Sequence, residues 1–124
     1  MQINLESSDK HAVKSYSNSQ LVVNYTEYND SLIISREEII SPWRVHSVQA
    51  LTEDLFKPLL ELKPEVILIG HDQLGAQIPM MLVQCLANQR IGIECMSIGA
   101  ACRTFNVLLS EMRHVVLGII LDIG

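Results

Sequence analysis

The chain has 124 residues, of which 48% are apolar and 19% charged. That length suits one domain spanning residues 1–124, and the apolar share excludes a disordered, charge-rich tail protein. Fourteen acids against nine bases give a net charge of −5 with no basic run, which argues against nucleic-acid binding.

The first ten residues, MQINLESSDK, have no apolar core for secretion, and Glu6 and Asp9 argue against an acid-poor transit peptide. Residues Val13 to Ser17 read as a first extended segment. Asn18-Ser19 marks a turn, and Leu21 to Val23 follow as a second run. Tyr25 to Asp30 is a polar connection ending in the turn dipeptide Asn29-Asp30. Leu32 to Ile34 and Ile39-Ile40 then flank the charged turn Arg36-Glu37-Glu38. Runs this short between polar turns predict antiparallel hairpins.

Pro42 cannot donate to a ladder and ends this region. Thr52 is a candidate helix N-cap, with Glu53 and Asp54 in the first turn, where carboxylates suit the helix dipole. Leu55, Leu59 and Leu62 continue the helical spacing, and Pro58 predicts a kink or split within it. Val66 to Ile69 is a continuous apolar run ending at Gly70, the pattern of a strand covered on both faces. Pro79 stands at a predicted first helical position, followed by a stripe of Leu82, Val83, Leu86 and Ala87 that ends near Arg90. Ile93 to Met96 is a short strand. Gly99 opens another helix, with Ala101, Phe105, Leu108 and Met112 as its apolar stripe. Val115 to Leu121, the longest apolar run at seven residues including Gly118, is the last strand and far short of the roughly 20 residues of a membrane-spanning helix. The expected compartment is the cytoplasm. Strands alternating with helices predict right-handed crossovers and a parallel sheet in the second half.

Two loops are the candidate site. Gly70-His71-Asp72 follows one buried strand, and Ser97-Ile98-Gly99-Ala100 follows the next and opens a helix. In open α/β sheets, ligands sit beyond the carboxyl ends of the strands, and a helix N-terminus favours an anion. The two loops are therefore expected to line one pocket, with Arg103 reaching an anion. No phosphate-binding glycine fingerprint accompanies them. Arg103, Asn106, Ser110 and Arg113 share one helix face, either as an ordinary solvated surface or as a recognition strip for a partner. Arg103 paired with Asp72 and Glu111 with Arg113 are the structural alternatives. A third reading makes Cys102 a nucleophile, its thiol pKa depressed at the helix N-terminus beside Arg103 and served by His71. Cys85, Cys95 and Cys102 form no C-x-x-C pair, and His11, His46, His71 and His114 are scattered, so no metal site or cofactor is expected.

The segments PEVILIG and GIECMSIGAACRTFNVLLSEMRHVV, and above all Ala100 to Asn106 (AACRTFN), resemble a small family of bacterial and archaeal proteins of unknown function. That family includes the mitochondrial respiratory complex I alpha-subcomplex assembly factor. The resemblance implies an α/β fold of three layers: N-terminal β-hairpins, then a helix–strand repeat on a mixed, largely parallel sheet. It implies no catalytic activity and no cofactor, and a mitochondrial branch that acts through protein partners. Members tend to carry Gly-Thr-Gly where this chain has Gly70-His71-Asp72, and Glu-Gly-Arg where it has Glu111-Met112-Arg113. The expectation is a non-enzymatic binding, assembly or accessory protein with an unknown protein partner. Its binding region comprises Gly70, His71, Asp72, Gly99, Cys102, Arg103 and Asn106. The alternatives are a small-anion binder or thiol-dependent enzyme at the same loops, and a homo-oligomer whose apolar excess covers a self-interface.

Overall fold

A computed structural model describes residues 11–121. The sequence reading of the first ten residues, Glu6 and Asp9 included, lies outside that range. Eight strands and three α-helices follow in order: β1 (Val13–Tyr16), β2 (Leu21–Val23), β3 (Thr26–Tyr28), β4 (Leu32–Ile34), β5 (Ile39–Ile40), α1 (Glu53–Leu60), β6 (Val66–Gly70), α2 (Met80–Asn88), β7 (Gly92–Met96), α3 (Ile98–Ser110) and β8 (Val115–Ile119). A short 3₁₀ turn, Val48–Ala50, precedes α1.

The strands form two sheets, an antiparallel β1-β2-β3 and a mixed five-stranded sheet ordered β5-β4-β8-β6-β7. β6 pairs parallel with both β7 and β8, as the helix–strand alternation predicts. β4 joins antiparallel to β8 and carries β5 on its outer side. The fold is therefore α/β on a mixed sheet.

Alternation along the central strands divides the core. Leu32, Ile34, Leu68, Leu117 and Ile119 face a cluster with Leu21, Val23, Phe105 and Leu109. Ile33, Ile67, Ile69, Val116 and Ile120 face the other, with Trp43, Phe56, Leu59, Leu82 and Leu86. Both faces are covered, so the strands read as continuous apolar runs instead of alternating ones.

Several local expectations change. Thr26–Tyr28, expected to be part of a connection, is a strand whose register with β2 runs Leu21 to Tyr28 and Val23 to Thr26. Thr and Tyr favour extended structure, and pairing outweighs the polar sequence. α1 begins at the expected cap, where Thr52 Oγ1 accepts from Leu55 N–H at 3.2 Å. It runs unbroken through Pro58. The missing Pro58 N–H leaves the carbonyl of Asp54, an exposed first-turn residue, to water. Pro79 is the N-cap of α2, one position before the expected site. Ala87 is exposed. Met112 leaves the predicted stripe: it is 66% exposed and lies past α3 at φ +62°. That left-handed position is where a helix C-terminus favours glycine, the residue that the Glu-Gly-Arg pattern carries there.

Candidate functional site

Parallel pairing of β6 with β7 sets Gly70 opposite Met96, so the two candidate loops leave the sheet side by side. His71 N–H donates to the Met96 carbonyl at 3.0 Å. Asp72 Oδ1 accepts from Ile98 N–H, in the first turn of α3, at 3.3 Å. Ser97 Oγ accepts from Ala100 N–H at 3.2 Å. The negative charge that suits this helix N-terminus is thus supplied by Asp72 itself. A carboxylate of the protein thus already stands at the helix end where an anion was expected.

Four of the predicted site residues serve the packing. A Cβ on Gly70 would lie 2.7 Å from Ile119 Cδ1 and 2.8 Å from Ala101 Cβ, so glycine here lets α3 approach the sheet. A Cβ on Gly99 would lie 2.8 Å from the Tyr16 ring, which covers the first turn of α3. Cys102 is 1% exposed within the α3-side cluster, and burial pushes its thiol up to about 12 against a smaller lowering by Arg103. The nucleophile reading required the opposite shift, and a sealed neutral thiol does not attack. Asn106 is the fourth. Its Nδ2 donates to the Val13 carbonyl at 3.0 Å, and its Oδ1 accepts from Val13 N–H at 2.9 Å.

Arg103 does not pair with Asp72: its Nη1 donates to the Tyr16 hydroxyl at 2.6 Å. The polar strip on α3 is therefore real, but Arg103 and Asn106 use it to hold β1 against the helix. Farther along it, Ser110 Oγ donates to the Val107 carbonyl at 2.7 Å. Arg113 pairs with Glu65 and not with Glu111, Nε to Oε1 at 3.0 Å. The same oxygen accepts from His114 N–H at 3.0 Å. These two bonds, the backbone one foremost, hold the Glu65 carboxyl below its ordinary range.

His71 and Asp72 remain at a cavity. A cleft of about 700 Å³ opens beyond β6 and β7, between the loop that follows β6 and the first turns of α2. His71 is buried at 9% exposure. Its Nδ1 accepts from Gln73 N–H at 3.1 Å. Burial lowers its pKa, and Asp72 opposes that shift weakly. The other polar groups at the cleft include Gln73, Ser97 and Cys95, whose thiol burial pushes up to about 11. The apolar lining comes from Ile78, Met80, Val83 and Ile93, with fully exposed Leu74 at the rim.

Sequence reasoning missed this lining and Gln73. The available signal was compositional: a lone leucine in the polar stretch His71-Asp72-Gln73-Leu74-Gly75, then the pair Met80-Met81 after Pro79. Gln73 anchors the loop from both ends of its amide. Oε1 accepts from Val48 N–H at 2.8 Å, and Nε2 donates to the His46 carbonyl at 2.8 Å. Among the described residues, no three of His, Cys, Asp and Glu gather in a metal-binding arrangement.

A family model described as "Protein of unknown function (DUF498/DUF598)" matches residues 13–120. A solved structure from Xanthomonas campestris is 31% identical, covers 98% of this chain and 93% of its own, and superposes with a TM-score of 0.83. A Francisella tularensis protein named "13 kDa major membrane protein" is 28% identical over 82% of this chain and 84% of its own length. A Drosophila melanogaster protein named "NADH dehydrogenase [ubiquinone] 1 alpha subcomplex assembly factor 3" is 28% identical over 81% of this chain. The chain spans 58% of that protein's length.

Proposed function

The chain belongs to the DUF498/DUF598 family of proteins of unknown function, and on that footing we propose that it is a non-enzymatic protein-binding module of the assembly or accessory type. The observation that carries this reading is the rim of the cleft. Leu74, fully exposed, and Met80, 67% exposed, both line the cleft, and Met81, next in sequence to Met80, is 76% exposed. Large apolar side chains gathered at one edge of a sheet are the signature of a contact surface. Methionine adapts its shape to a partner. The assembly-factor name of the Drosophila relative supports a role exercised through proteins. The binding region of this reading is the His71-Asp72 loop with its Leu74 and Met80 rim. Gly70, Gly99, Cys102, Arg103 and Asn106 lie outside this rim, in the packing of α3 against the sheet and β1.

Affinity capture from lysate of the parent cells tests the proposal. The wild type is expected to retain one protein in near-stoichiometric amount. Leu74→Asp, at a position with no packing to lose, is expected to lose that protein with an unchanged melting temperature. Retention by both, or by neither, overturns the reading. The proposal also places the protein in the cytoplasm. Among the described residues no helix is long and apolar enough to cross a membrane. Recovery in the membrane pellet on fractionation would overturn that placement.

A further inference from the structure

We propose that the cleft beyond β6 and β7 binds an uncharged small molecule with an apolar body and one hydrogen-bond acceptor, which it presents to the Nε2–H of His71. The inference goes beyond partner docking at the rim and rests on the cleft's interior. At about 700 Å³ the cleft lies within the roughly 300–1,000 Å³ typical of small-molecule sites. Ile78, Val83 and Ile93 give it an apolar lining.

The site is built before any ligand arrives. Gln73 fixes the loop wall to the backbone at His46 and Val48. Gln73 N–H also fixes the imidazole, because Nδ1 accepts from it and the ring proton must then sit on Nε2. His71 is nine-tenths buried, and among the described residues no group accepts from that Nε2. The nitrogen is not sealed inside the protein, and the space its ring borders is the cleft. A donor open to a cleft with a largely apolar wall is met by one acceptor from the occupant.

Charge selects the class of occupant. Among the described residues no lysine or arginine lines the cleft, and the charged residue that does is Asp72. An anion would meet a carboxylate and find no cation. The desolvated imidazole stays neutral near pH 7 and adds no positive charge. An amide, ketone or ester carbonyl on a ring or short aliphatic body fits these terms.

Methyl and imidazole NMR spectra of the purified full chain test this with benzamide as the neutral probe and benzoate as its anionic counterpart. Millimolar benzamide is expected to give saturable shifts at the Ile78, Met80 and Ile93 methyls and at His71 Nε2, with benzoate at least tenfold weaker. Met80→Trp fills the mouth from an exposed position and is expected to abolish the shifts without lowering the melting temperature. His71→Phe is expected to weaken benzamide about tenfold. If His71→Phe does not fold, Met80→Trp decides. Absence of saturable benzamide shifts, equal affinity for benzoate, or binding that survives Met80→Trp overturns the proposal. The measurement uses no partner protein, so it stands or falls apart from the capture experiment.

Discussion

His71 couples the cleft to pH. Its ordinary pKa of 6.5 is lowered in the folded chain because burial penalises the imidazolium, with Asp72 a weaker opposing influence. Gln73 N–H adds to this, since it requires Nδ1 as an acceptor and so requires the neutral ring. A group that is less basic when folded binds fewer protons than in the unfolded chain between the two pKa values. Its contribution to stability is therefore fully present above about pH 6.5 and is lost as pH falls from there through the folded value. Thermal unfolding at pH 7.5 and 5.5 should show a larger drop for the wild type than for His71→Phe. Equal drops would remove His71 as the cause. The sequence offered His71 as a loop residue beside Asp72. Its burial was not legible, because it depends on how the Gln73 loop folds back at the strand end. The thiol reading of Cys102 failed for a related reason. Sequence placed the residue correctly in the first turns of a helix, but the sign of its pKa shift depends on which side of the helix meets the sheet.

At the scale of elements, the seam between α3 and β1 explains what the polar strip does. Asn106 offers one donor and one acceptor to Val13 and so mimics a neighbouring strand at the end of β1. Arg103 and Gly99 receive Tyr16 at the other end, by a hydrogen bond and by close ring contact. Helical spacing revealed the shared face of Arg103 and Asn106. It could not reveal the occupant, because Asn106 and Val13 are 93 residues apart and nothing local in β1 records its partner. Asn106→Ala strips the Val13 backbone of both bonds in a partly buried place. The expected cost is about 1–3 kcal/mol, read by urea denaturation. Hydrogen exchange should quicken at Val13 N–H and across β1, β2 and β3 while β6 keeps its protection. Unchanged exchange in the first sheet would mean that the seam does not hold it. The same limit explains the missed β3. Thr26–Tyr28 becomes a strand because β2 is there to pair with it.

For the whole molecule, the five-stranded sheet determines how closely everything else approaches. In the parallel β8-β6-β7 portion, β6 and β8 were legible because strands covered on both faces become apolar throughout, as in Val66 to Ile69, whereas largely exposed β7 was legible from its place between two helices. The antiparallel addition of β4 and β5 was legible only as a hairpin, since its attachment to β8 joins residues such as Leu32 and Ile119 from opposite ends of the chain. Gly70 stands where these layers meet. It ends β6, pairs with Met96 and Ile119, and lies under α3 at Ala101 and Ile98. A methyl group there would press on Ile119 Cδ1 and Ala101 Cβ and come within 3.3 Å of the Ile98 Cα, which is backbone and cannot rotate away. Relief requires α3 to lift, and α3 carries both the Asp72-capped N-terminus and the β1 seam. Gly70→Ala is therefore expected to lower the unfolding free energy by about 1–3 kcal/mol, the range for overpacking a tight core. Gly92→Ala is the matched control on the sheet edge. Its Cβ would meet nothing nearer than Glu65 O at 3.8 Å, so the change should stay within about 0.5 kcal/mol. Urea unfolding of the two variants gives the comparison. Equal stabilities would show that the contact between α3 and the sheet yields freely. A selective loss in Gly70→Ala would establish that a predicted site glycine serves the packing beneath the cleft.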